Sequence, residues 1–444
     1  MKTVLVIAYH FPPGGGPGVQ RVLKHVTYLR EAGWRPIVLT VENGDFPALD
    51  VSLLEKVPAD VRVVRVPILE PYSIYRRFMG GGGAIDVNVN KSKQQRRGWK
   101  ERLAEFIRAT FFIPDARVGW LLTAVKAGRR IIREEHVDAI YTSSPPYTCA
   151  LIGRALKRQT GLPWVAGFRD PWTGFLTTPD RWFLPASIDK HLERSVFTEA
   201  DAVESAWEGI TADALAKYSF LDPKKFFHVP NGFDSTDFPD ITYVRNERFT
   251  VTYTGSMYGR RTPAAFLAAL DVLRSRGEVL PEDVRLRFVG RFGAEVEEML
   301  EKSPFASSVE RISYVPHTES IAYLMRSDIS LLIVDEAKES AEIVPGKVYE
   351  YLGVGRPILA LAPRGSAIED LIKETGAGAS APQSDVTAIA DIIGTFVARW
   401  KRGEPIATMN TSAVARYERR QSALALARIL NDVVDQNNTK PHAK

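Results

Sequence analysis

The stretch EIVPGKVYEYLGVGRPILAL, residues 342–361, decides the fold because it places a helix start and a buried strand next to each other. Its two carboxylates, Glu342 and Glu350, are eight residues apart with a Pro-Gly break between them. A short apolar strand, residues 357–361, follows the helix at once. A solvated ion-pair pattern needs neither the break nor the buried strand, so the stretch favours a ligand site on a strand–helix scaffold.

The same alternation of apolar strands and helices runs through both halves of the chain. Continuous Val, Ile and Leu runs separated by helical patterns favour parallel sheets that are covered on both faces. The pattern predicts two doubly wound, Rossmann-like α/β domains, residues 1–235 and 236–415, and an amphipathic helix within residues 416–444. The predicted strands are residues 3–9, 35–40, 61–67, 139–144, 163–168 and 202–206 in the first domain, and 249–255, 284–290, 311–316, 329–334 and 357–362 in the second.

Composition limits the class of protein. The 444 residues, of which 45% are apolar and 25% charged, are typical of a soluble globular chain of two domains. One cysteine, Cys149, excludes an internal disulfide and suits a reducing cytoplasm. The apolar run of residues 4–8 is too short for a signal peptide and predicts a first buried strand. Since no stretch reaches roughly 18–20 consecutive apolar residues, we expect no membrane-spanning helix.

An insertion at about residues 78–133 differs from its surroundings. It begins as a Gly-rich loop and becomes basic and aromatic, with 12 Lys and Arg against three acidic residues between positions 91 and 133. One interpretation is a solvated helix face after a flexible loop; the other is a footprint for an anionic membrane surface. The aromatic residues that would supply the apolar side are Trp99, Phe106, Phe111 and Phe112. Nucleic acid is disfavoured as a partner because no recognised nucleic-acid-binding module accompanies the charge.

A glycine-rich loop, HFPPGGGPGVQR (residues 10–21), separates the first strand from the first helix. Glycines there let the backbone approach a ligand, and a helix N-terminus favours phosphate. The loop is not a dinucleotide fingerprint, because Val19 occupies the third glycine position of the G-x-G-x-x-G pattern that begins at Gly14. The alternative interpretation is ordinary turn chemistry.

Charged residues also follow the predicted strand at residues 163–168, in the segment GFRDPWTG (residues 167–174). Open α/β sheets bind ligands at the carboxyl ends of their strands. Arg169 could hold an anionic group, and Asp170 could accept hydrogen bonds from hydroxyl groups. The alternative is an Arg–Asp pair that only stabilises the loop.

The stretch at residues 342–361 predicts a helix that starts near Gly346. Its first backbone N–H groups would suit a diphosphate, and Lys347 would add a positive charge. Glu350, one turn into the helix, would accept both hydroxyls of a ribose, and Glu342 would reach a sugar beyond the phosphates. The alternative is a solvated helix start at which Glu342 has no role.

These motifs together resemble the retaining family-4 glycosyltransferases, which have the glycosyltransferase B fold. Two glutamates separated by seven residues, followed by a short helix and G-x-P-x-L, are similar to the E-x7-E signature of that family. The resemblance extends over most of the chain. Within the family, the chain is similar to a bacterial branch that has an F-R-D-P-W loop. The other similar segments are FPPGGGPGVQRVLKHVTYLREAGWRPIVLT (11–40), GFRDPWTG (167–174), HVPNGFD (228–234) and VTYTGSMYGRRTP (251–263).

The resemblance implies a role for each matching residue. The first domain would lie on the acceptor side, the second would bind a nucleotide sugar, and the last helix would cross back to the first. Glu350 would bind the donor ribose and Glu342 the transferred sugar, with Arg169 and Asp170 beside the reaction. The other implied donor contacts are Gly255, Ser256, Gly346 and Lys347 at the diphosphate, Gly15 and Gly16 at the sugar phosphate, and Val315 and His317 beside the nucleobase.

Three positions depart from the family pattern. The family's first loop of the second domain often carries an Arg followed five residues later by a Lys, whereas this chain has Ser256, then Arg260 and Arg261. Arg169–Asp170 stands where many relatives have a His-Asp pair, and Gly167 replaces an Asp that is common in the F-R-D-P-W branch. One or both arginines would then neutralise the diphosphate.

The resulting expectation is a metal-independent, cofactor-free hexosyltransferase of retaining type that serves cell-surface glycan synthesis, including lipopolysaccharide. It would use a nucleotide-diphosphate sugar and a saccharide or lipid-linked saccharide acceptor, in the cytoplasm or peripherally on the plasma membrane. Two alternatives are a nucleotide-sugar epimerase of the same fold and a non-catalytic nucleotide-sugar-binding protein. The failed dinucleotide fingerprint disfavours an NAD-dependent dehydrogenase.

Overall fold

In the computed structural model, the described residues are 1–46, 48–68, 99–175, 178–257, 261–335 and 344–439. The chain divides into two compact units. Unit 1 comprises Met1–Asn231 together with Arg419–Lys444, and unit 2 comprises Gly232–Glu418. The sequence boundaries at 235/236 and 415/416 lie within four residues of these divisions.

Unit 1 is built on a seven-stranded parallel sheet with the strand order β3-β2-β1-β4-β5-β6-β7. The central strand β1 is a continuous apolar run that is buried on both faces, as expected for a doubly wound sheet. The strands are β1 Lys2–Ala8, β2 Trp34–Val41, β3 Arg62–Val66, β4 Ala139–Ser144, β5 Trp164–Phe168, β6 Ala202–Ser205 and β7 Phe226–His228.

Seven helices cover this sheet within the described residues. The last of them packs against the first, α1, and buries Leu426, Leu430 and Val433 in the same apolar core as Val22 and Val26. The segment after Glu418 therefore belongs to the core of unit 1. These helices are α1 Pro17–Leu29, α2 Trp99–Phe111, α3 Leu121–Glu135, α4 Thr148–Thr160, α5 Phe183–Glu199, α6 Glu208–Lys217 and, at the end of the chain, α14 Arg419–Thr439.

Unit 2 contains a six-stranded parallel sheet with the order β10-β9-β8-β11-β12-β13. Its strands are β8 Phe249–Thr254, β9 Val284–Val289, β10 Val309–Ile312, β11 Ile329–Ile333, β12 Ile358–Leu361 and β13 Gly378–Ala381. Its described helices are α7 Ala264–Ser275, α8 Ala294–Lys302, α9 His317–Met325, α10 Gly346–Val354, α11 Ala367–Thr375, α12 Val386–Lys401 and α13 Thr411–Ala415.

The two parallel sheets confirm the predicted fold class, and three strands differ from the prediction. Two short edge strands, β7 and β13, were not predicted because neither has a long apolar run. The strand predicted at residues 311–316 ends at Ile312 instead. The remaining residues of that stretch, 313–316, form a loop before helix α9, so Tyr314 and Val315 lie at the carboxyl edge of the sheet.

A buried ion pair fixes helix α1 inside unit 1. Arg21 pairs with Glu204 of strand β6, with side-chain exposures of only 2% and 1%. Arg21 also donates to the carbonyl oxygens of Val229 (2.7 Å) and Pro230 (3.0 Å), and Tyr141 donates to Glu204 Oε2 at 3.1 Å. This network joins the first helix to the end of the sheet and to the segment that leaves the unit.

Candidate functional site

In unit 2, the loops after strands β8 and β9 lie so close that glycine is required in both. Gly255 has φ +111° and Gly290 has φ +149°, and a Cβ on Gly290 would lie 2.2 Å from the carbonyl oxygen of Gly255. The Gly255 amide donates to Val289 O at 2.8 Å, and the Tyr253 hydroxyl donates to the Ser256 carbonyl at 3.1 Å. The loop that carries Gly255 and Ser256 is therefore held at the carboxyl edge of the sheet.

The Lys347 side chain reaches this edge from the first turn of helix α10. Its ammonium donates to Tyr253 Oη at 2.9 Å and to Thr254 O at 3.3 Å, and it lies 4.1 Å from the centroid of the Tyr253 ring. Burial lowers the pKa of Lys347 to about 7; the charge of Arg261 adds to this effect, and Glu350 opposes it. The amine is thus positioned for a negatively charged ligand that would restore its protonated form.

Helix α10 begins at Gly346, as predicted, and among the described residues its N-cap supplies no side-chain hydrogen bond to the first turn. The N-cap residue is Pro345. The early backbone N–H groups of a helix and its dipole both favour negative charge. Together with Lys347, this start has the components of a diphosphate site.

Glu350 lies one turn further along helix α10 and contacts a residue of the neighbouring helix. His317 Nε2 lies 2.8 Å from Glu350 Oε1, and both side chains are partly exposed. We predicted His317 beside the nucleobase, but in the structure it bonds the carboxylate predicted to take the ribose. Val315 lies two residues before His317, in the loop that ends strand β10.

Arg261 is the described member of the arginine pair that was predicted to neutralise the diphosphate. Its positive charge acts on Lys347, and its Nε is buried without a hydrogen-bond partner among the described residues. The first observation places a second cation near the Lys347 amine. Arg260 and Glu342 lie outside the described residues, so their predicted roles stay predictions.

In unit 1, the glycine-rich loop lies at the carboxyl end of β1. Gly15 donates its amide to Ala48 O at 2.9 Å, and Gly16 precedes helix α1 with φ +97° and no side-chain cap. A Cβ on Gly18 would lie 3.3 Å from the guanidinium of Arg169. The Arg169 side chain and the segment that joins β1 to α1 therefore lie at the same edge of the sheet.

Arg169 and Asp170 follow strand β5 directly. The Arg169 guanidinium donates to Ser143 Oγ at 2.7 Å and to the carbonyl oxygen of Pro145. Burial lowers the pKa of the Arg169 guanidinium, and the negative charge of Asp170 opposes that shift. Burial raises the pKa of the Asp170 carboxyl group, and the positive charge of Arg169 opposes that shift. The pair is thus more than a surface turn contact, since it is half-buried and Arg169 lies beside Gly18.

His10 is a residue of this edge to which the sequence analysis gave no role. Burial lowers its pKa to about 3, and the charges of Arg169 and Arg117 lower it further in the same direction. The imidazole is therefore neutral at physiological pH and can donate or accept one hydrogen bond. Its position two residues after strand β1, as the first residue of the glycine-rich loop, was the available signal.

A second set of unpredicted residues braces the loop at 169–174. Trp172 donates its indole N–H to Asp189 at 2.9 Å, and Thr173 donates its amide to Glu193 at 3.0 Å. Tyr218 also donates to Glu193, at 2.8 Å. These acids sit on helix α5, and only the fold brings them to the loop, so no spacing in the sequence indicates them.

Gly167 departs from the F-R-D-P-W pattern because strand β5 has no room there for a side chain. A Cβ on Gly167 would lie 2.7 Å from Glu204 Oε2 and 2.7 Å from Tyr141 Oη. Contacts that short force the neighbours to shift, and both neighbours belong to the buried network around Arg21.

Among the described residues, no group of three or more His, Cys, Asp and Glu side chains could hold a metal ion. Within the same residues, no helix has both the length and the apolar content that a membrane crossing requires.

Comparison with known proteins agrees with this architecture. Residues 15–232 match the Glycosyl transferase 4-like domain family. A relative named Probable glycosyltransferase WbjE, from Pseudomonas aeruginosa, is 24% identical over 278 residues, which cover 59% of this chain and 66% of that protein. The match therefore spans just under two thirds of the relative's length.

Two solved structures are similar in fold over almost their whole length. Sucrose-phosphate synthase from Thermosynechococcus elongatus is 13% identical with a TM-score of 0.60, covering 98% of this chain and 100% of that one. Anabaena HepE, solved with UDP and glucose, is 14% identical with a TM-score of 0.54, covering 99% and 100%. The chain is therefore similar to the Glycosyl transferase 4-like domain family over residues 15–232, and it has the glycosyltransferase B fold.

Proposed function

We propose that the protein is a retaining glycosyltransferase that moves a hexosyl group from a nucleotide-diphosphate sugar to a saccharide or lipid-linked saccharide acceptor. The observation that carries this proposal is the Lys347 ammonium, which packs against Tyr253 from the first turn of helix α10. One turn further on, Glu350 offers a carboxylate, about 4.5 Å along the helix axis from Lys347.

Donor binding in this proposal uses unit 2. The diphosphate would take the N–H groups at Gly346 and the charges of Lys347 and Arg261, while Gly255 allows close approach of the loop backbone. The ribose hydroxyls would displace the imidazole of His317 from Glu350, because both groups use the same carboxylate oxygens.

The reaction proposed for this site breaks the bond between the anomeric carbon and the diphosphate oxygen. Negative charge accumulates on the leaving diphosphate, so fixed cations and helix N–H groups aimed there stabilise the transition state. The chain's own Lys347 and Arg261 supply such cations. The diphosphate itself would accept the proton of the incoming hydroxyl, which gives retention without a carboxylate nucleophile. Glu342 would bind the transferred sugar.

Unit 1 would bind the acceptor and the sugar phosphate. Its glycine loop at Gly15 and Gly16, the neutral His10 and the Arg169–Asp170 pair lie at one sheet edge and offer both donors and acceptors of hydrogen bonds. We propose a cell-surface glycan as the product and the cytoplasmic face of the plasma membrane as the location. The exposed basic side chains of helix α3, Arg129, Arg130 and Arg133, support attraction to anionic lipid within the basic segment 91–133.

An acceptor-dependence assay tests the proposed reaction. A nucleotide sugar labelled in the sugar is incubated with the protein, with and without a mixture of lipid-linked and free saccharides, and released nucleoside diphosphate is measured. A transferase releases it at a rate that rises with acceptor, and label appears in the acceptor. Equal release without acceptor, or interconversion of the free sugar, would support the epimerase; binding without any turnover would support the non-catalytic protein.

The pKa of Lys347 predicts a pH dependence of donor affinity. Below about pH 6 the free amine is already protonated, so affinity should be constant; above its pKa of about 7 the free amine is neutral. A bound diphosphate raises that pKa, so binding at about pH 8 should take up close to one proton, and affinity should fall by up to about tenfold per pH unit.

Calorimetry in buffers of different ionisation enthalpy measures this proton uptake. A nucleotide sugar is the proper ligand, because its diphosphate is a diester and does not titrate in this range. Lys347→Arg, which stays protonated, is the control and should show no uptake. Uptake that is equal in wild type and Lys347→Arg would contradict the assignment.

A further inference from the structure

One hydroxyl group, that of Tyr253, joins the two parts of unit 2 that are assigned to the diphosphate. The Lys347 ammonium donates to Tyr253 Oη at 2.9 Å, and the same hydroxyl donates to the carbonyl oxygen of Ser256 at 3.1 Å. Because a phenol has a single hydrogen and Ser256 O accepts it, the Tyr253 oxygen serves Lys347 only as an acceptor. We call these three groups the hydroxyl bridge: Lys347 Nζ, Tyr253 Oη and Ser256 O.

The Tyr253 ring is held firmly in the core of unit 2. It belongs to strand β8, is completely buried, and pairs across the sheet with Phe288 of strand β9. The two ring centroids are 6.3 Å apart. A side chain packed in this way has little freedom to move, because the interior is close-packed. Its oxygen is therefore a fixed point that places both the Lys347 amine and the loop after β8.

The hydrogen bonds of Lys347 leave one of its N–H groups for a ligand. An ammonium has three N–H donors. Two of them go to Tyr253 Oη at 2.9 Å and to the carbonyl oxygen of Thr254 at 3.3 Å, and the described residues supply no third acceptor. A Cβ on Gly255 would lie 3.5 Å from Lys347 Nζ, so the glycine leaves space beside the amine. A phosphate oxygen can therefore approach the amine on this side.

A neutral amine does not serve a phosphate in this arrangement. It has two N–H groups, and while both stay with Tyr253 and Thr254, its lone pair takes the third direction. A lone pair repels an anionic oxygen, whereas the N–H of an ammonium attracts it. The proton that Lys347 gains therefore supplies the N–H that the ligand needs, and the hydroxyl bridge determines where that N–H points.

We propose that Tyr253 is a positioning residue of the donor site, whose hydroxyl orients the Lys347 ammonium so that one N–H meets an anionic phosphate beside Gly255. The ligand class is a diphosphate ester, so this inference deepens the proposed function and rests on it. The sequence analysis gave Tyr253 no role, because its contact with Lys347 joins residues that are 94 positions apart.

Three titratable groups surround the Lys347 amine besides Tyr253 in the part of the chain that the structure describes. The charge of Arg261 disfavours the protonated amine, and the charge of Glu350 favours it. Glu350 in turn lies 2.8 Å from His317 Nε2. Removal of the Tyr253 hydroxyl leaves all three in place, so their titration cancels when the variant is compared with wild type at each pH. The remaining difference reports the hydroxyl itself.

Donor affinity of Tyr253→Phe at two pH values tests the proposal. The variant keeps the ring and loses the oxygen that stabilises the charged amine, so the pKa of Lys347 should fall. At about pH 5.5 both proteins are protonated, and their affinities for the nucleotide sugar should agree within about threefold. At about pH 8 the variant should bind about tenfold more weakly, since a hydrogen bond to a charged group is lost. A loss that is equal at both pH values, or no loss, would overturn the proposal.

NMR titration of the free protein tests the hydroxyl bridge without a nucleotide. Labelling of lysine Cε with carbon-13 should give a signal that titrates near pH 7 and that Lys347→Arg removes. That signal should titrate at lower pH in Tyr253→Phe. The matched control is Tyr323→Phe, on the ring that packs against Arg287 in unit 2, and it should leave both the titration and the donor affinity unchanged.

The two measurements separate failure of this inference from failure of the proposed function. An unchanged Lys347 titration in Tyr253→Phe would overturn the inference, although nucleotide sugars could still bind wild type. A lowered titration in a protein that binds no nucleotide sugar would support the hydroxyl bridge and contradict the proposed function.

Discussion

Replacement of Lys347 by alanine should lower kcat/KM for the nucleotide sugar by about 10²–10³-fold, the loss typical of removing one fixed transition-state donor. Lys347 is the cation whose position is best defined in unit 2, through its contacts with Tyr253 and Thr254. Its loss removes the charge that meets the leaving diphosphate and also leaves the Tyr253 hydroxyl without this partner. Steady-state kinetics with acceptor in excess measures the effect.

Two controls separate chemistry from folding. Lys347→Arg keeps a positive charge at the helix start and should recover part of the rate, although its planar group cannot reproduce the contacts of an ammonium. Lys373→Ala, at an exposed lysine on helix α11, should leave the rate unchanged. A rate for Lys347→Ala within about threefold of wild type would show that the leaving group is stabilised elsewhere.

Replacement of Arg21 by methionine should destabilise unit 1 by about 3–5 kcal/mol, because it leaves Glu204 as an unpaired charge in the core. The pair is almost completely buried, and Arg21 also satisfies the carbonyl oxygens of Val229 and Pro230. A loss of this size is comparable with the total stability of many domains. Chemical denaturation followed by circular dichroism measures it, and much of the variant should unfold at moderate denaturant concentrations.

The double variant Arg21→Met/Glu204→Leu tests the physical reason for that loss. Replacement of both buried charges by apolar groups removes the unpaired carboxylate, so the double variant should recover most of the lost stability. Breaking an exposed pair such as Arg402–Glu404 should change the stability far less, because solvent screens its charges. A double variant as unstable as Arg21→Met would show that the backbone contacts of Arg21, and not its charge, matter most.

The fold was predictable because its strands are long apolar runs between amphipathic helices. Strands β1, β2 and β11 are mostly apolar and are buried in all or nearly all of their residues, so their composition indicates parallel sheets directly. The edge strands β7 and β13 are three and four residues long and partly exposed, so no apolar run indicated them. They are strands because their backbones pair with a neighbouring strand, and the sequence does not show that pairing.

The part of the candidate site that lies on one short segment, residues 346–350, was predictable from the sequence. Gly346, Lys347 and Glu350 lie within one helical turn, so their spacing alone predicts that they face a common ligand. Tyr253, which holds the Lys347 amine, is 94 residues away in the chain. Asp189 and Glu193 brace the 169–174 loop in the same nonlocal way. Such partners depend on sheet order, and local spacing carries no information about them.

Titration of the protein with UDP-, GDP-, ADP- and TDP-sugars tests the central claim most directly, because it asks whether unit 2 binds a nucleotide through Glu350. We expect one nucleotide series to bind wild type, and we expect Glu350→Ala to weaken that binding by about tenfold or more, since a carboxylate–hydroxyl contact is lost. Glu319→Ala, at an exposed glutamate of helix α9, is the matched control and should bind like wild type. Binding by no nucleotide, or equal binding by wild type and Glu350→Ala, would contradict the account.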